Sequence, residues 1–284
     1  MNGTIASNRF ESTLDYTALP RAKLLELYQL TVTAHRNFFG LWQRAVTDKF
    51  GPESCAELTA VVYPNLEAAS GDLEQVFYEE LNFLWSIMPS VQHMLTFGRY
   101  DASLLPETLD ASLDIEGLSN ESLVLLWNTA TLTYCMQTGR WTDLITRRYD
   151  QDTALKLERS VWLDYGGAEE DLRYGLTAAG AEHGDIETLF RGFQMAPGEV
   201  GLVDAVFKLD NPNHGVITHN RCPAQERFGE SNRERLESSC VLCVIAMRLS
   251  GEMVNQDIRC RAANIPPYRE DPGFACQWEY WLEQ

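Results

Sequence analysis

Two similar segments, separated by 99 positions, occupy much of the first 172 residues of the sequence. In each, a tryptophan (Trp42 or Trp141) is followed eight residues later by an aromatic residue and thirteen residues after that by another. The matched positions are Leu27, Trp42, Ala45, Val46, Phe50, Leu58, Val62, Tyr63, Asp72 and Leu73, which correspond to Leu126, Trp141, Leu144, Ile145, Tyr149, Leu157, Val161, Trp162, Asp171 and Leu172. Because repeated helical units bury their apolar faces against each other, the pattern predicts a helical region with two related halves.

The helical region is predicted to have recognisable boundaries. Gly51 and Pro52 are typical of the end of one helix and the start of the next. Residues 83–122, which include Pro89 and several Gly and Ser residues, are expected to connect the two halves. Ser119 is expected to cap the helix that follows.

The last 85 or so residues have a different pattern, with strands in place of most helices. Apolar and polar residues alternate in 202–210 and 214–222, which an Asn-Pro-Asn turn separates, so a hairpin is predicted. A helix is expected over 237–255, capped by one of the serines near its start and interrupted or ended by its glycine. Two more strands follow at 257–264 and 274–282.

The fold class predicted from these patterns is α+β, with a helical N-terminal region and a small ββαββ domain. The predicted divisions are a flexible tail at 1–18, a first helical repeat at 19–112, a second at 113–196 and the ββαββ domain at 197–284.

Composition restricts the classes of partner. The chain has 23 Lys and Arg residues against 41 Asp and Glu residues, a formal charge of -18, so nucleic acids and anionic membrane surfaces are not expected partners. The longest apolar run, 240–247, is too short to span a bilayer, and no signal peptide is recognised, which favours a cytoplasmic location. The sequence has no nucleotide-binding GxGxxG or GxxxxGK[ST] motif. A small molecule is the expected ligand, and a homo-oligomer is left open.

Five of the seven cysteines lie in the predicted ββαββ domain, at Cys222, Cys240, Cys243, Cys260 and Cys276. Strand alternation places Cys260 and Cys276 on the apolar face, about two residue steps apart if their strands pair. Three interpretations stay open: buried small hydrophobic residues, ligands of a transition metal (zinc or iron), or a catalytic thiol.

For a catalytic thiol the sequence favours Cys222, which lies next to Arg221 and three residues after His219. Nearby positive charge lowers the pKa of a thiol and increases its thiolate fraction. Cys240 is the second candidate, because it is expected at the N-terminus of a helix.

Other residues are candidate ligand-binding groups. Gln225 and Arg227 lie in the loop after Cys222 and could hold an anionic or amide-bearing ligand. His35 lies on an apolar helix face, and its equivalent in the second repeat is Tyr134. Trp278 lies on the same strand face as Cys276, where it could line a mostly apolar pocket.

The segment His35–Leu58, "HRNFFGLWQRAVTDKFGPESCAEL", and the ordered run of "RCPAQERFG", "CVLC", "IRC", "PP" and "CQWEY" resemble bacterial proteins related to L-2-amino-thiazoline-4-carboxylic acid hydrolase. The resemblance covers roughly residues 20–80 and 200–284. The ββαββ pattern also resembles the small-molecule-binding domain of the four-vinyl-reductase type. The first resemblance singles out Cys222, Gln225, Cys240, Cys260, Cys276, Trp278 and Glu279.

The resemblance implies hydrolysis of a C–N bond in a small cyclic amidine-like or amide-like molecule. The expected catalytic residues are Cys222, His219 and Gln225, and the expected substrate-binding residues are Arg221, Arg227, His35, Tyr134 and Trp278. The expected metal ligands, if a metal takes part, are Cys222, Cys240, Cys243, Cys260 and Cys276. A non-enzymatic binding or sensing protein and an iron-sulfur redox module are the alternatives.

Overall fold

A computed structural model describes residues 10–63, 73–96, 100–229, 231–266 and 273–283 of the protein. The chain forms two compact units, Tyr16–Gly167 and the combination of Met1–Asp15 with Ala168–Gln284, here called the helical unit and the sheet unit. The predicted α+β class is confirmed. The division at residue 167 lies inside the segment 113–196, which was predicted as one repeat. None of the described helices combines the length and apolar character needed to cross a bilayer.

The helical unit is built on long helices, with short 3-10 helices between them. Its α-helices are α1 (Arg21–Phe50), α2 (Pro52–Val62), α3 (Leu73–Val91), α4 (Asn120–Arg148) and α5 (Gln151–Leu163). The 3-10 helices are Tyr16–Ala18, Gln92–Met94 and Ile115–Gly117.

The offset of 99 residues recurs in the helix boundaries. Helix α1 begins at Arg21 and α4 at Asn120, while α2 begins at Pro52 and α5 at Gln151. Matching aromatic residues of the two copies contact each other: the Trp42 and Trp141 rings stack 6.0 Å apart at 3°, and the Phe50 and Tyr149 rings stack 4.1 Å apart at 1°. A residue can touch its own equivalent only beside the axis that relates two copies. The α1–α2 and α4–α5 pairs are therefore related by an approximate two-fold axis through these rings.

A reciprocal pair of contacts supports the same symmetry. The rings of Phe38 and Tyr134 lie 4.9 Å apart. The equivalent positions in the other copy are Gln137 and His35, and Gln137 Nε2 donates a hydrogen bond of 2.9 Å to the His35 carbonyl oxygen. Both pairs of equivalent positions are therefore in contact, one pair through aromatic rings and the other through a hydrogen bond.

The helix boundaries agree with the sequence at two places and differ at a third. Gly51, with φ of 87°, separates α1 from α2, and Pro52 is the first residue of α2. The Ser119 side chain accepts a hydrogen bond from the Ser122 amide and caps α4, as predicted. The predicted connector 83–122 is wrong at its start, because α3 continues through Pro89 to Val91.

The stacked tryptophans should dominate the stability of the helical unit. Both Trp42 and Trp141 are fully buried. Trp141→Ala should lower the free energy of unfolding by about 3 to 5 kcal/mol, because it removes a large buried side chain and leaves a cavity. Val61→Ala, at a position that is 64% exposed, is the control and should change the stability by less than about 0.5 kcal/mol. Urea unfolding followed by far-UV circular dichroism would measure the free energy of unfolding of both variants. An equal loss in the two variants would contradict the central role of the tryptophan stack.

The sheet unit combines one antiparallel sheet with five helices in its described residues. Its helices are α6 (Gly167–Ala179), α7 (Ile186–Phe193), α8 (Pro197–Leu202), α9 (Pro223–Phe228) and α10 (Arg233–Val254). Its strands are β1 (Ala205–Asn211), β2 (His214–His219), β3 (Ile258–Asn264) and β4 (Cys276–Leu282), in the order β1-β2-β4-β3. All three strand pairs are antiparallel, and the hairpin and the later strands were predicted.

The helix between the two strand pairs differs from its prediction. It begins at Arg233, where the Asn232 side chain caps it by accepting from the Arg235 amide, so the predicted serine cap is wrong. It also continues through Gly251 to Val254. A Cβ atom at Gly251 would lie 2.8 Å from Cγ2 of Ile258, so the glycine allows α10 to pack closely on β3. The short helix α9 is an addition to the ββαββ pattern.

One face of the sheet forms the core of this unit. On β4, Cys276, Trp278 and Tyr280 point inward, as the alternation predicted. They pack with Phe207 and Ile217 of the first hairpin. Helices α7 and α10 contribute Phe190, Phe193, Met247 and Val254 to the same cluster. Glu279, predicted to point away from it, lies on the other face and pairs with His214 and Arg261.

Candidate active site

The pairing of β2 with β4 brings a histidine and a cysteine together. His219 is the last residue of β2, Cys276 is the first of β4, and the register places them directly opposite each other. The Cys276 sulfur lies 3.2 Å from His219 Nδ1. Both side chains point to the apolar face, where His219 is 6% exposed and Cys276 is 8% exposed. The arrangement places a thiol within hydrogen-bonding distance of a base, as nucleophilic catalysis by cysteine requires.

The other nitrogen of this imidazole meets a carboxylate. Nε2 of His219 lies 2.5 Å from Oε1 of Glu199, which α8 supplies. Helix α8 is attached to α6 through a hydrogen bond of 2.7 Å from the Gly198 amide to Asp171 Oδ1. A Cβ atom at residue 198 would lie 2.7 Å from an Asp171 carboxylate oxygen, so a larger residue there would shift the carboxylate that accepts from this amide. Cys276, His219 and Glu199 therefore form a connected series that we call the triad.

The charge of His219 is set by its two partners. Burial lowers the pKa of His219, but the charge of Glu199 and the hydrogen bonds to Cys276 and Glu199 outweigh burial and raise it to about 10. At neutral pH the ring is therefore an imidazolium that donates Nε2–H to Glu199 and Nδ1–H to the Cys276 sulfur. A buried histidine with a strongly raised pKa beside a thiol is typical of a functional site.

The position of Cys222 contradicts the reasoning that favoured it. Burial raises the pKa of this thiol, and the lowering effects of the Gln225 and Ala224 amides and of His219 do not compensate. The Arg221 guanidinium, expected to activate it, pairs instead with Glu226 at 2.5 Å and 2.9 Å. Cys222 lies at the N-cap position of α9, near the triad but outside it.

Two thiols of α10 face the same region. Burial, together with the charges of Cys222 and Cys276, raises the pKa of Cys240 to about 11. The expected helix-terminus activation of Cys240 is wrong, because α10 begins seven residues earlier at Arg233. The pKa of Cys243 is also raised, by the density of protein around it and by Cys222, Cys276 and Cys240. The Cys243 side chain is nevertheless exposed to solvent.

Cys260 lies apart from Cys276. The register of β3 places it opposite Tyr280, four positions along β4 from Cys276, or about 13 Å at the usual rise per residue. The predicted separation of two residue steps is therefore wrong. Burial raises the pKa of Cys260 to about 12, and the hydrogen bond with Tyr280 opposes this effect only in part. Within the described ranges, no group of three or more His, Cys, Asp or Glu side chains is placed to hold a metal ion.

The predicted ligand-binding residues are divided between the two units. Trp278 is buried in the sheet unit two positions from Cys276, and its Nε1–H has no hydrogen-bond partner in the part of the chain that the structure describes. Gln225 and Arg227 lie on α9, where the Arg227 guanidinium is 5.3 Å from the centre of the Phe228 ring. His35 and Tyr134 belong to the core of the helical unit, where His35 binds Glu80.

The sequence analysis did not identify Glu199 as a site residue, and it did not predict the contact between Cys276 and His219. Residues 195–201, "MAPGEVG", indicated only a change from helix to strand. A single glutamate in a six-residue helix has no distinguishing pattern. For Cys276 the signal was present, since antiparallel pairing of its strand with that of His219 would have placed the two side chains together.

Comparisons of the chain with models of protein families, with curated proteins and with solved structures gave no match. The resemblances noted from the sequence therefore stay predictions.

Glu199→Gln should change how stability depends on pH. A histidine whose pKa rises from 6.5 to about 10 on folding stabilises the protein fully below pH 6.5 and loses this contribution as the pH rises to 10. Glu199→Gln removes the negative charge that contributes most to raising the pKa of His219. The variant should therefore be less stable than the parent by at most about 3 to 5 kcal/mol near pH 6, and the difference should shrink toward pH 10.

Urea unfolding of both proteins at several values between pH 6 and pH 10 measures this difference. Glu226→Gln is the matched control, because Glu226 pairs with Arg221 at the surface and should give no such trend. A Glu199→Gln difference that stays constant over the range would contradict the assignment of the raised pKa to Glu199.

Proposed function

We propose that the protein is a thiol-dependent hydrolase that cleaves a C–N bond in a small cyclic amidine-like or amide-like molecule. The observation that carries the proposal is the contact series from the Cys276 sulfur to His219 Nδ1 and from His219 Nε2 to Glu199. A nucleophile, a base and a group that orients the base are the three components of a nucleophilic catalytic site. The substrate class comes from the resemblance of the sequence to L-2-amino-thiazoline-4-carboxylic acid hydrolase.

Each member of the triad has one role in this proposal. Cys276 is the nucleophile and reacts as the thiolate, which the adjacent imidazolium of His219 stabilises by charge and by a hydrogen bond. His219 carries the proton that the leaving nitrogen needs. Glu199 fixes the orientation of the ring and stabilises its positive charge, and it exchanges no atoms with the substrate.

The reaction proceeds by two substitutions. The Cys276 thiolate forms a C–S bond with the carbon of the C–N group, the C–N bond breaks, and His219 Nδ1–H donates its proton to the departing nitrogen. Water then attacks the same carbon while the neutral His219 accepts a proton from the water. The C–S bond breaks, which restores the thiolate and the imidazolium. The sum of the two steps is the addition of one water molecule across the C–N bond.

The orphaned indole of Trp278 supports a polar substrate beside the triad. Its Nε1–H is buried without a partner in the described residues, which costs free energy unless a ligand atom accepts the hydrogen bond. We propose that a nitrogen or oxygen atom of the substrate fills this role. Trp278 keeps in this way the substrate-binding role that its strand position suggested.

Cys276→Ser should abolish hydrolysis of L-2-amino-thiazoline-4-carboxylate or of another member of a panel of small cyclic amidines and amides. Loss of the nucleophile should reduce kcat by at least about 10³-fold, since removing one member of such a unit costs nearly as much as removing all. Glu199→Gln should reduce kcat by about 10² to 10⁴-fold. Cys222→Ser is the matched control and should retain kcat within about threefold, since Cys222 is near the triad but does not belong to it.

Iodoacetamide labelling gives a readout that does not need the substrate. Cys276 should be alkylated faster than Cys222 and Cys240 at pH 7, and His219→Asn should remove this advantage, as peptide mass spectrometry can measure. Turnover that survives Cys276→Ser, or equal labelling of Cys276 and Cys222, would overturn the proposal. Loss of turnover in both Cys222→Ser and Cys240→Ser, together with loss of a stoichiometric zinc or iron ion, would instead favour the metal-dependent alternative.

A further inference from the structure

The helical unit contains a cavity that is independent of the triad. Its volume is about 440 Å³, which is in the range of small-molecule sites. Its wall combines the end of α2 with one face of α3 and one face of α4. The lining residues are Val61, Val62, Tyr63, Glu79, Phe83, Arg140, Asp143, Leu144 and Arg147.

One guanidinium at this cavity is available to a ligand. Arg140 and Arg147 are seven residues apart on α4, so they lie on the same face of the helix. Arg140 pairs with Glu80 at 3.2 Å, whereas Arg147 donates only to the Asp143 carbonyl oxygen at 3.2 Å and has no carboxylate partner among the described residues. A guanidinium binds a carboxylate through two parallel hydrogen bonds. Arg147 is therefore the group best suited to hold a carboxylate.

A buried hydrogen-bond network fixes the inner wall of the cavity. The carboxylate of Glu80, which is 2% exposed, accepts hydrogen bonds from Tyr63 at 2.8 Å, from Arg140 and from His35. Burial and the charge of Glu80 raise the pKa of Tyr63 well above its usual value, so the phenol keeps its proton. Tyr63 and Arg140 are thus held in place before any ligand arrives, which reduces the entropic cost of binding.

The remaining walls offer apolar surface and negative charge. Phe83 is 47% exposed, and its ring lies 4.7 Å from the Arg140 guanidinium carbon. Two carboxylates, Glu79 and Asp143, also line the cavity. Both have other interactions, but a carboxylate has lone pairs for more than one donor. The cavity therefore presents two guanidinium groups, of which Arg140 is paired with Glu80, together with two carboxylates and an apolar wall.

We propose that this cavity binds a small zwitterion, an α-amino acid with an apolar side chain. The ligand carboxylate pairs with Arg147, the ammonium group with Glu79 and Asp143, and the side chain packs against Phe83. A simple anion would leave the ammonium-binding carboxylates facing its charge, and a simple cation would face Arg147. A ligand with both charges can pair with Arg147 and with the two carboxylates at the same time.

L-phenylalanine is the probe for this site, with saturation-transfer NMR and isothermal titration calorimetry on the full chain as readouts. The parent protein should bind it, while 3-phenylpropionate, which lacks the amine, and phenethylamine, which lacks the carboxylate, should each bind at least tenfold more weakly. Arg147→Gln should weaken L-phenylalanine binding at least tenfold. Phe83→Ala should also weaken L-phenylalanine binding, because it removes the apolar surface against which the ligand side chain packs.

Arg148→Gln is the matched control. Arg148 is the next residue of α4, is exposed, and pairs with Glu57 outside the cavity, so its replacement should leave the affinity unchanged. Arg147 is also exposed, so neither substitution should alter the melting temperature. Absence of binding to the parent, or equal affinity of Arg147→Gln, would overturn the site. Equal binding of 3-phenylpropionate would overturn its assignment to a zwitterion.

Discussion

The antiparallel pairing of β2 with β4 is the interaction on which the candidate active site depends. It places His219 and Cys276, 57 residues apart in sequence, directly opposite each other. Because side chains alternate across a strand, the same register turns both groups toward the apolar core. A slip of one residue would move Cys276 to the opposite face and leave His219 facing Gln277 or Ala275. Backbone hydrogen bonds between two strands therefore determine whether the thiol and the imidazole lie next to each other.

Burial makes the charges of this site depend on one another. An isolated imidazolium in an apolar core would lose its proton, since burial alone lowers the pKa of His219. Glu199 reverses this effect from a distance of 2.5 Å, and the attachment of α8 to Asp171 keeps it there. Burial raises the pKa of the neighbouring thiols Cys222 and Cys240. Cys276 is the thiol that lies within hydrogen-bonding distance of this imidazolium.

The helical unit shows how two similar sequences acquire different local chemistry. Trp42 and Trp141 stack on each other beside the approximate symmetry axis, where the two copies must remain alike. The residues of the network around Glu80, by contrast, are not repeated in the other copy. Position 134 holds a tyrosine where the first copy has His35, and position 179 holds an alanine where it has Glu80. The symmetric rings stabilise the unit, and Glu80 hydrogen-bonds to Tyr63 and Arg140 of the cavity wall.

The amino-acid pattern was enough to predict the α+β class, the helix pairs that recur after 99 residues, the strands and their inward faces, and the Gly51 and Ser119 boundaries. Each of these follows from local periodicity or from the backbone preference of one residue, which a linear pattern records. Long-range packing, in contrast, sets three features: Cys276 contacts His219, Glu199 contacts the other nitrogen of that ring, and Cys260 lies four strand positions from Cys276. Those outcomes depend on strand order and register and on the packing of a six-residue helix. They are contacts between distant residues, and a local pattern gives the face on which a side chain lies but not the strand that pairs beside it.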